Sequence, residues 1–271
     1  LSYRQRYGDV HFIKGFGLDI SLLSVELLAL LFAVAVFAGF VDTLAGGGGL
    51  ITVPSLILAG VPPVVALGTN KLQGCMGTAT ATLMMFRKKK ITWEEVRRPM
   101  LYAFMGAAIG TLILQFVSSQ ALSFIIPVVL LVIATYFIFS SRIHMAKRDA
   151  VITPSTYEKT AIPAIGFYDG FFGPGTGSFF SLAGVSLRAQ TLLEATARAK
   201  ALNFSTNIAS LLVFIVAGKI FWAVGLTMMV GQAIGAWAGS HSLLRIPTSL
   251  LRFIIVAVCV AMLVRYALQM Y

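Results

Sequence analysis

The 271-residue chain is predicted to be an all-α polytopic membrane protein: two homologous inverted repeats with about eight helical segments or spans, some of them short re-entrant or broken helices at glycine clusters. Its composition, an internal repeat and an exchange of basic charge between repeated loops carry this expectation. Hydrophobic residues make up 58% and charged residues 11% of the chain, and the mean hydropathy is +0.88. A soluble domain carries roughly 25% charged residues. With about 20 apolar residues needed per span, no separate soluble catalytic domain fits. The net charge of +11 comes from Lys and Arg clustered between apolar runs. Positive-inside bias explains that pattern, and nucleic-acid binding does not. Cys75 and Cys259 lie in apolar stretches without metal or redox spacing.

Gly39, Phe40, Asp42, Gly46 and Gly48 recur 127 positions later as Gly166, Phe167, Asp169, Gly173 and Gly175. After a two-residue slip, Ala66, Lys71, Trp93, Gly106 and Gly110 match Ala195, Lys200, Trp222, Gly235 and Gly239. The elements follow from this register. Beyond an N-terminal arm (1–21), the first repeat (22–140) opens with an apolar helix at about 22–44, which Leu22 to Val41 makes long enough to be a retained span. The tetraglycine 46–49 breaks it. A half-span follows at about 50–60, and then helices at about 63–86, started by Pro62 and Pro63, 97–117 and 121–140. A basic, proline-containing linker (141–159) leads to the second repeat (160–271), with elements at about 161–172, 177–187, 192–217, 222–241 and 249–269. The first two elements of each half read as a re-entrant pair.

The loop from Arg87 to Arg98 carries six Lys or Arg, whereas its counterpart near Lys219 carries one. Conversely, the uncharged turns at 118–120 and 60–63 correspond to segments bearing Arg245, Arg252 and Arg188. Equivalent loops therefore lie on opposite sides, as in inverted-repeat transporters. The basic loop and the linker are then cytoplasmic and Tyr271 is outside. Arg4, Arg6 and Lys14 also fall outside, against the rule.

Ionisable groups inside spans cost about 2.5–3.5 kcal/mol each on insertion scales and so mark function. Lys71 and Lys200 are the clearest cases. Lys200, Asn203, Asn207 and Ser210 share a helix face, and the matching face of the first half holds Lys71, Gly74, Thr78 and Ala81. Such a stripe lines a cavity, or else each lysine pairs with Asp42 or Asp169 and staples the halves; Lys71 with Asp42 and Lys200 with Asp169 are the pairs expected. The glycine clusters, with Gly47, Gly48, Gly49, Gly175 and Thr176 at helix starts, offer backbone N–H groups to an anion or allow tight packing. Asp42 and Asp169 cap the broken backbone, counter the lysines or carry protons. Arg198 attracts anions at a cytoplasmic entrance or is a solvated loop arginine. Trp93 and Trp222 suit interfacial anchors. The Gly106/Gly110 and Gly235/Gly239 pairs suit close helix contact, within the chain or in a homodimer.

With these residues in view, the sequence resembles the sulfite exporter TauE/SafE family over both halves, from about Gly39 to Leu268. The resemblance rests on Gly39-Phe40-Val41-Asp42 with the tetraglycine, Val53-Pro54, Gly68-Thr69-Asn70-Lys71 and Gly166-Phe167-Tyr168-Asp169 through Gly175. It implies a bacterial inner-membrane permease exporting small sulfur-containing anions such as sulfite, sulfonates or sulfoacetate, and adds Asn70 to the substrate-binding candidates. A channel or an uptake permease for another small anion is the alternative. The partners expected are the anion and the lipid bilayer. No cofactor, metal or catalytic residue is expected, since His11, His144 and His241 lie in the arm or in loops. With a negative cell interior, each negative charge leaving gains about 2.3 kcal/mol per 100 mV.

Overall fold

The computed structural model describes residues 24–139 and 149–242, with Ala257 beyond them; the expected helix at 249–269 and the N-terminal arm lie outside the described residues. The described secondary structure is helical throughout. Helix α1 (Val25–Ala45) starts where Ser24 accepts the Leu27 N–H at 3.2 Å. It stops at Gly46, whose φ of +76° suits glycine and whose N–H reaches the Asp42 carbonyl at 2.6 Å. Helix α2 (Gly49–Leu58) follows, and then α3 (Pro63–Arg87), with proline at its first position, where a missing N–H costs nothing. Helix α4 spans Trp93–Leu114 and α5 spans Ser119–Phe139. The second half contains α6 (Ile162–Phe171), α7 (Thr176–Arg188), α8 (Leu192–Val216) and α9 (Trp222–Ser242).

Two boundaries differ from the expectation. Helix α4 begins at Trp93, not near residue 97, because the Glu95 carboxylate returns to the Thr92 N–H at 2.9 Å and holds the first turn. Residues 154–159, expected in the linker, are already helical: Pro154–Thr156 and a π-helical turn, Tyr157–Ala161, run directly into α6. Thr153 caps this start by accepting the Thr156 N–H at 3.2 Å.

The halves interlock. Gly235 of α9 lies against Val36 of α1, and Gly239 against Phe40; correspondingly, Gly106 of α4 lies against Pro163 of α6, and Gly110 against Phe167. A Cβ at Gly235 would stand 1.9 Å from the Val36 carbonyl oxygen, and one at Gly110 would stand 2.1 Å from that of Phe167. These glycines therefore make contacts within the chain. In sequence order the contacts show that α9 runs parallel to α1, and α4 parallel to α6. Helix α9 also runs parallel to α3, from Gly225 beside Leu72 to the Lys88 ammonium on the Ser240 carbonyl at 2.6 Å. Helices α4 and α8 are likewise parallel, from Glu95–Arg198 to Thr111–Ser210. In contrast α3 and α8 are antiparallel: Gly68 meets Phe214, Gly74 meets Asn207, and Met85 clusters with Ala197 and Ala201.

Each half contains a helical hairpin. Leu31 and Ala35 of α1 pack with Leu56 at the far end of α2 and Ala66 at the start of α3, so α2 folds back along α1. Ile162 of α6 packs with Ala183 near the end of α7 in the same way. The hairpin tips meet in the middle, where Gly46 abuts Gly177, Gly49 approaches Pro174, and the Ser178 hydroxyl donates to the Ala45 carbonyl. Among the described residues two helices, Val25–Ala45 and Leu192–Val216, are long and apolar enough to cross a bilayer by themselves.

Because a side chain at Gly110 or Gly235 overlaps facing backbone, Gly110→Val and Gly235→Val are expected to lose at least about 1–3 kcal/mol of stability. Thermal unfolding of the detergent-purified variants measures this. Gly60→Val, at a site with nothing within 4 Å of an added Cβ but with φ at +87°, is the strained-backbone control and should cost less.

Candidate functional site

Where the hairpin tips meet, a cavity of about 30 Å³ lies between the halves. Its lining includes Asn70, Lys71, Gly74 and Thr78 from α3, and Asn203 and Asn207 from α8. Asp42, Asp169, Gly48, Gly49, Gly175 and Thr176 contribute from the glycine breaks. The two polar stripes thus face one another: the Asn207 amide reaches the Thr78 hydroxyl at 3.5 Å and the Asn203 amide oxygen at 3.4 Å. Ser210, the last member of the α8 stripe, instead bonds Thr111 of α4 at 2.9 Å. Gly47 and Lys200 are not among the lining residues.

Both lysines are buried, and both pair with aspartate across the halves. The Lys71 ammonium stands 2.9 Å from Asp169 Oδ1, each side chain only 2% exposed. The Lys200 ammonium donates to the Asp42 backbone carbonyl and lies 3.9 Å from Asp42 Oδ2. This corrects the expected within-half pairing of Lys71 with Asp42 and Lys200 with Asp169. Sequence places each aspartate next to its own half's lysine in register, but the hairpin tips cross the midline and deliver each carboxylate to the opposite lysine. Asp42 also corrects the view of the tetraglycine as a set of free donors, since its Oδ1 accepts the Gly48 N–H at 3.0 Å. Asp169 has no equivalent: its Oδ2 is buried without a hydrogen-bond partner.

Asn70 is held in place, with its amide oxygen accepting from Thr52 at 2.6 Å and from Gln73 at 3.2 Å. The Thr176 hydroxyl donates to the Gly173 carbonyl at 2.6 Å. Gln232 of α9 lines the cavity and was missed by the sequence reading. Its repeat position is Ala103, so the internal repeat does not flag it. The cost of a polar group in an apolar helix is the signal that marks it.

Arg198 is elsewhere. It pairs with Glu95 at 3.1 Å, the side chains 36% and 41% exposed, and such pairs contribute at most about 1 kcal/mol. It lines a larger cavity of about 240 Å³ with Arg188, Tyr157 and Glu158. There the Thr92 backbone N–H, chiefly, holds the Glu95 carboxyl below the usual carboxylate range, and burial pushes the Tyr157 hydroxyl up to about 12.

A family model described as "Sulfite exporter TauE/SafE" matches residues 31–266. The chain belongs to the TauE/SafE family. This family membership makes it a membrane transporter, and the relatives agree. "Probable membrane transporter protein ORF9" of Sinorhizobium sp is 41% identical, covering 90% of this chain and 93% of its own. "Probable membrane transporter protein" of Haemophilus influenzae is 40% identical, covering 86% and 92%. "Probable membrane transporter protein YfcA" of Escherichia coli K12 is 42% identical, covering 90% and 91%. No solved structure matches this TauE/SafE chain.

Removing one member of a buried pair strands the other, at a cost of about 3–5 kcal/mol. Lys71→Met is therefore expected to lower thermal stability sharply, and Lys71→Met/Asp169→Asn to recover most of the loss. Lys71→Met/Asp42→Asn should recover none, and melting curves of the three variants in detergent distinguish these outcomes.

Proposed function

We propose that this TauE/SafE protein is a multi-pass inner-membrane permease that exports small sulfur-containing anions, such as sulfite, sulfonates or sulfoacetate, through two inverted repeats. The observation that carries the reading is the Lys71 ammonium, 2% exposed, in a cavity otherwise lined by amides, hydroxyls, glycines, its counter-ion Asp169 and the Asp42 carboxylate, which Lys200 and the Gly48 N–H hold. With Asp42 engaged by Gly48 and Lys200, the fixed charge left to exchange its partner is the Lys71 ammonium, which favours an anion. The family's printed description supports sulfite as substrate class. The antiparallel contact of α3 with its repeat mate α8, and the matched hairpins α1–α2 and α6–α7, support the inverted repeat.

Orientation follows from where the described basic residues gather. The 87–98 loop, Arg188 and Arg198 belong to the end where Met85, Ile91 and Val96 pack on Ala197 and Ala201. Lys219 follows Phe214 near Gly68, toward the opposite end. The first end is then cytoplasmic. A cavity of about 30 Å³ holds about one water, which supports alternating access over an open pore and favours the permease over the channel. Asn203 and Asn207 line the transport path as it opens, and Arg198 stands at the cytoplasmic side.

In counterflow with liposomes and a panel of sulfite, sulfonates and carboxylates, Lys71→Arg should retain part of the transport. Lys71→Met should lose at least about tenfold, the value of one charge-assisted hydrogen bond. Equal counterflow by wild type and Lys71→Met would refute the site. Lys219→Cys should react with an impermeant thiol reagent added outside intact cells while Arg97→Cys stays protected, and the reverse pattern inverts the orientation.

A further inference from the structure

The two cross-half ion pairs are not equivalent. Asp42 is anchored, its Oδ1 on the Gly48 N–H at 3.0 Å and its backbone carbonyl on Lys200. Asp169 is 1% exposed and lines the central cavity, yet only Oδ1 is engaged, by Lys71 at 2.9 Å; Oδ2 has no hydrogen-bond partner. Buried polar atoms are nearly always bonded; among the described residues four buried side-chain atoms have no partner, and Asp169 Oδ2 is the carboxylate oxygen of the four and belongs to the residue that lines the cavity.

The surroundings of Asp169 narrow what that is. Helix α3 presents Lys71 and, one turn on, Cys75. On α6 itself, the neighbouring Tyr168 hydroxyl is committed to the Pro174 carbonyl at 2.7 Å. Helix α4 brings Thr111, committed to the Gly170 carbonyl and Ser210, and α7 brings Thr176, committed to Gly173. Helix α8 brings Asn203 and Asn207 to the cavity and keeps Lys200 on Asp42. Among the described residues, Lys71 is thus the cation that compensates Asp169. A carboxylate or sulfonate oxygen offers that ammonium the same charge and acceptor that Asp169 Oδ1 offers it now.

We propose that the Asp169 carboxylate is the built-in occupant of the anion site on Lys71, displaced when a substrate anion binds and protonated as it leaves. This rests on the anion-transport reading above. The balance is simple. The Lys71–Asp169 pair breaks, a Lys71–anion pair forms, and one proton from the buffered medium joins the freed carboxylate, because a carboxylate stranded in this setting neutralises rather than stays charged. The charge of the site is unchanged. A monoanion therefore crosses with one proton, the membrane potential does no net work on the two together, and an acidic exterior opposes export. Of the two energy sources the sequence leaves open, the membrane potential and the proton, this outcome selects the proton. Asp42, fixed by Gly48, takes no part in the exchange.

Calorimetric titration of the purified full chain with methanesulfonate, which binds no proton near neutral pH, tests this in buffers of different ionisation enthalpy. Wild type should take up one proton per anion bound, and its affinity should tighten about tenfold for each unit the pH falls. Asp169→Asn should bind the anion more tightly than wild type with no proton uptake. Wild-type binding without proton uptake overturns the proposal, and this arm does not depend on any variant folding. A folded Asp169→Asn that binds more weakly than wild type also overturns it. If wild type binds neither methanesulfonate nor sulfite, the transport reading itself fails and takes this inference with it.

Discussion

The constraint on which the rest depends is the placing of two ammonium groups where water is scarce. Lys71 and Lys200 are each almost fully buried, and an unpaired charge in such surroundings costs several kcal/mol even after relaxation. Each is tolerable because a carboxylate or a backbone carbonyl from the other half reaches it. The pairs thus tie the two halves together where the glycine breaks meet.

Delivering those carboxylates requires backbone to end inside the protein. Helices α1 and α6 stop midway, at Gly46 and Gly173, and the chain turns back along itself in α2 and α7. Irregular backbone at depth is tolerated only when protein satisfies its polar groups. Here Asp42 bonds Gly48, Tyr168 bonds Pro174, and Ser178 of one tip bonds Ala45 of the other. The glycines of α4 and α9 complete the arrangement by letting backbones touch, since lipid supplies no hydrophobic drive to hold helices together. Close packing, caps and charge pairs are therefore successive consequences of one buried polar centre.

The twofold relation between the pairs is broken at the carboxylates. Asp42 spends its carboxylate on the chain, while Asp169 leaves an oxygen unused. The difference arises from sequence that the repeat does not preserve: four glycines in one break, and Gly173-Pro174-Gly175 in the other. Gly48, the donor to Asp42, is helical at φ −56°, whereas its repeat mate Gly175 is left-handed at φ +85°, so the two breaks present their N–H groups differently.

By itself the sequence determined the helical class, the internal repeat, most of the described helix limits to within a few residues, and the candidates Lys71, Thr78, Asn203, Asn207 and the glycine breaks. These are legible because burial cost and helical periodicity act along a single segment. A lysine in an apolar run or a polar residue every third or fourth position needs no partner to be noticed. Tertiary structure alone decided which aspartate meets which lysine, that Lys200 rests on a carbonyl away from the cavity lining, that Gln232 joins it, and that Arg198 stands apart on Glu95. Those are relations between segments far apart in the chain, and they depend on which way a hairpin crosses the midline. That crossing is set by packing between glycine-faced helices, and a linear pattern of residue types carries no record of it.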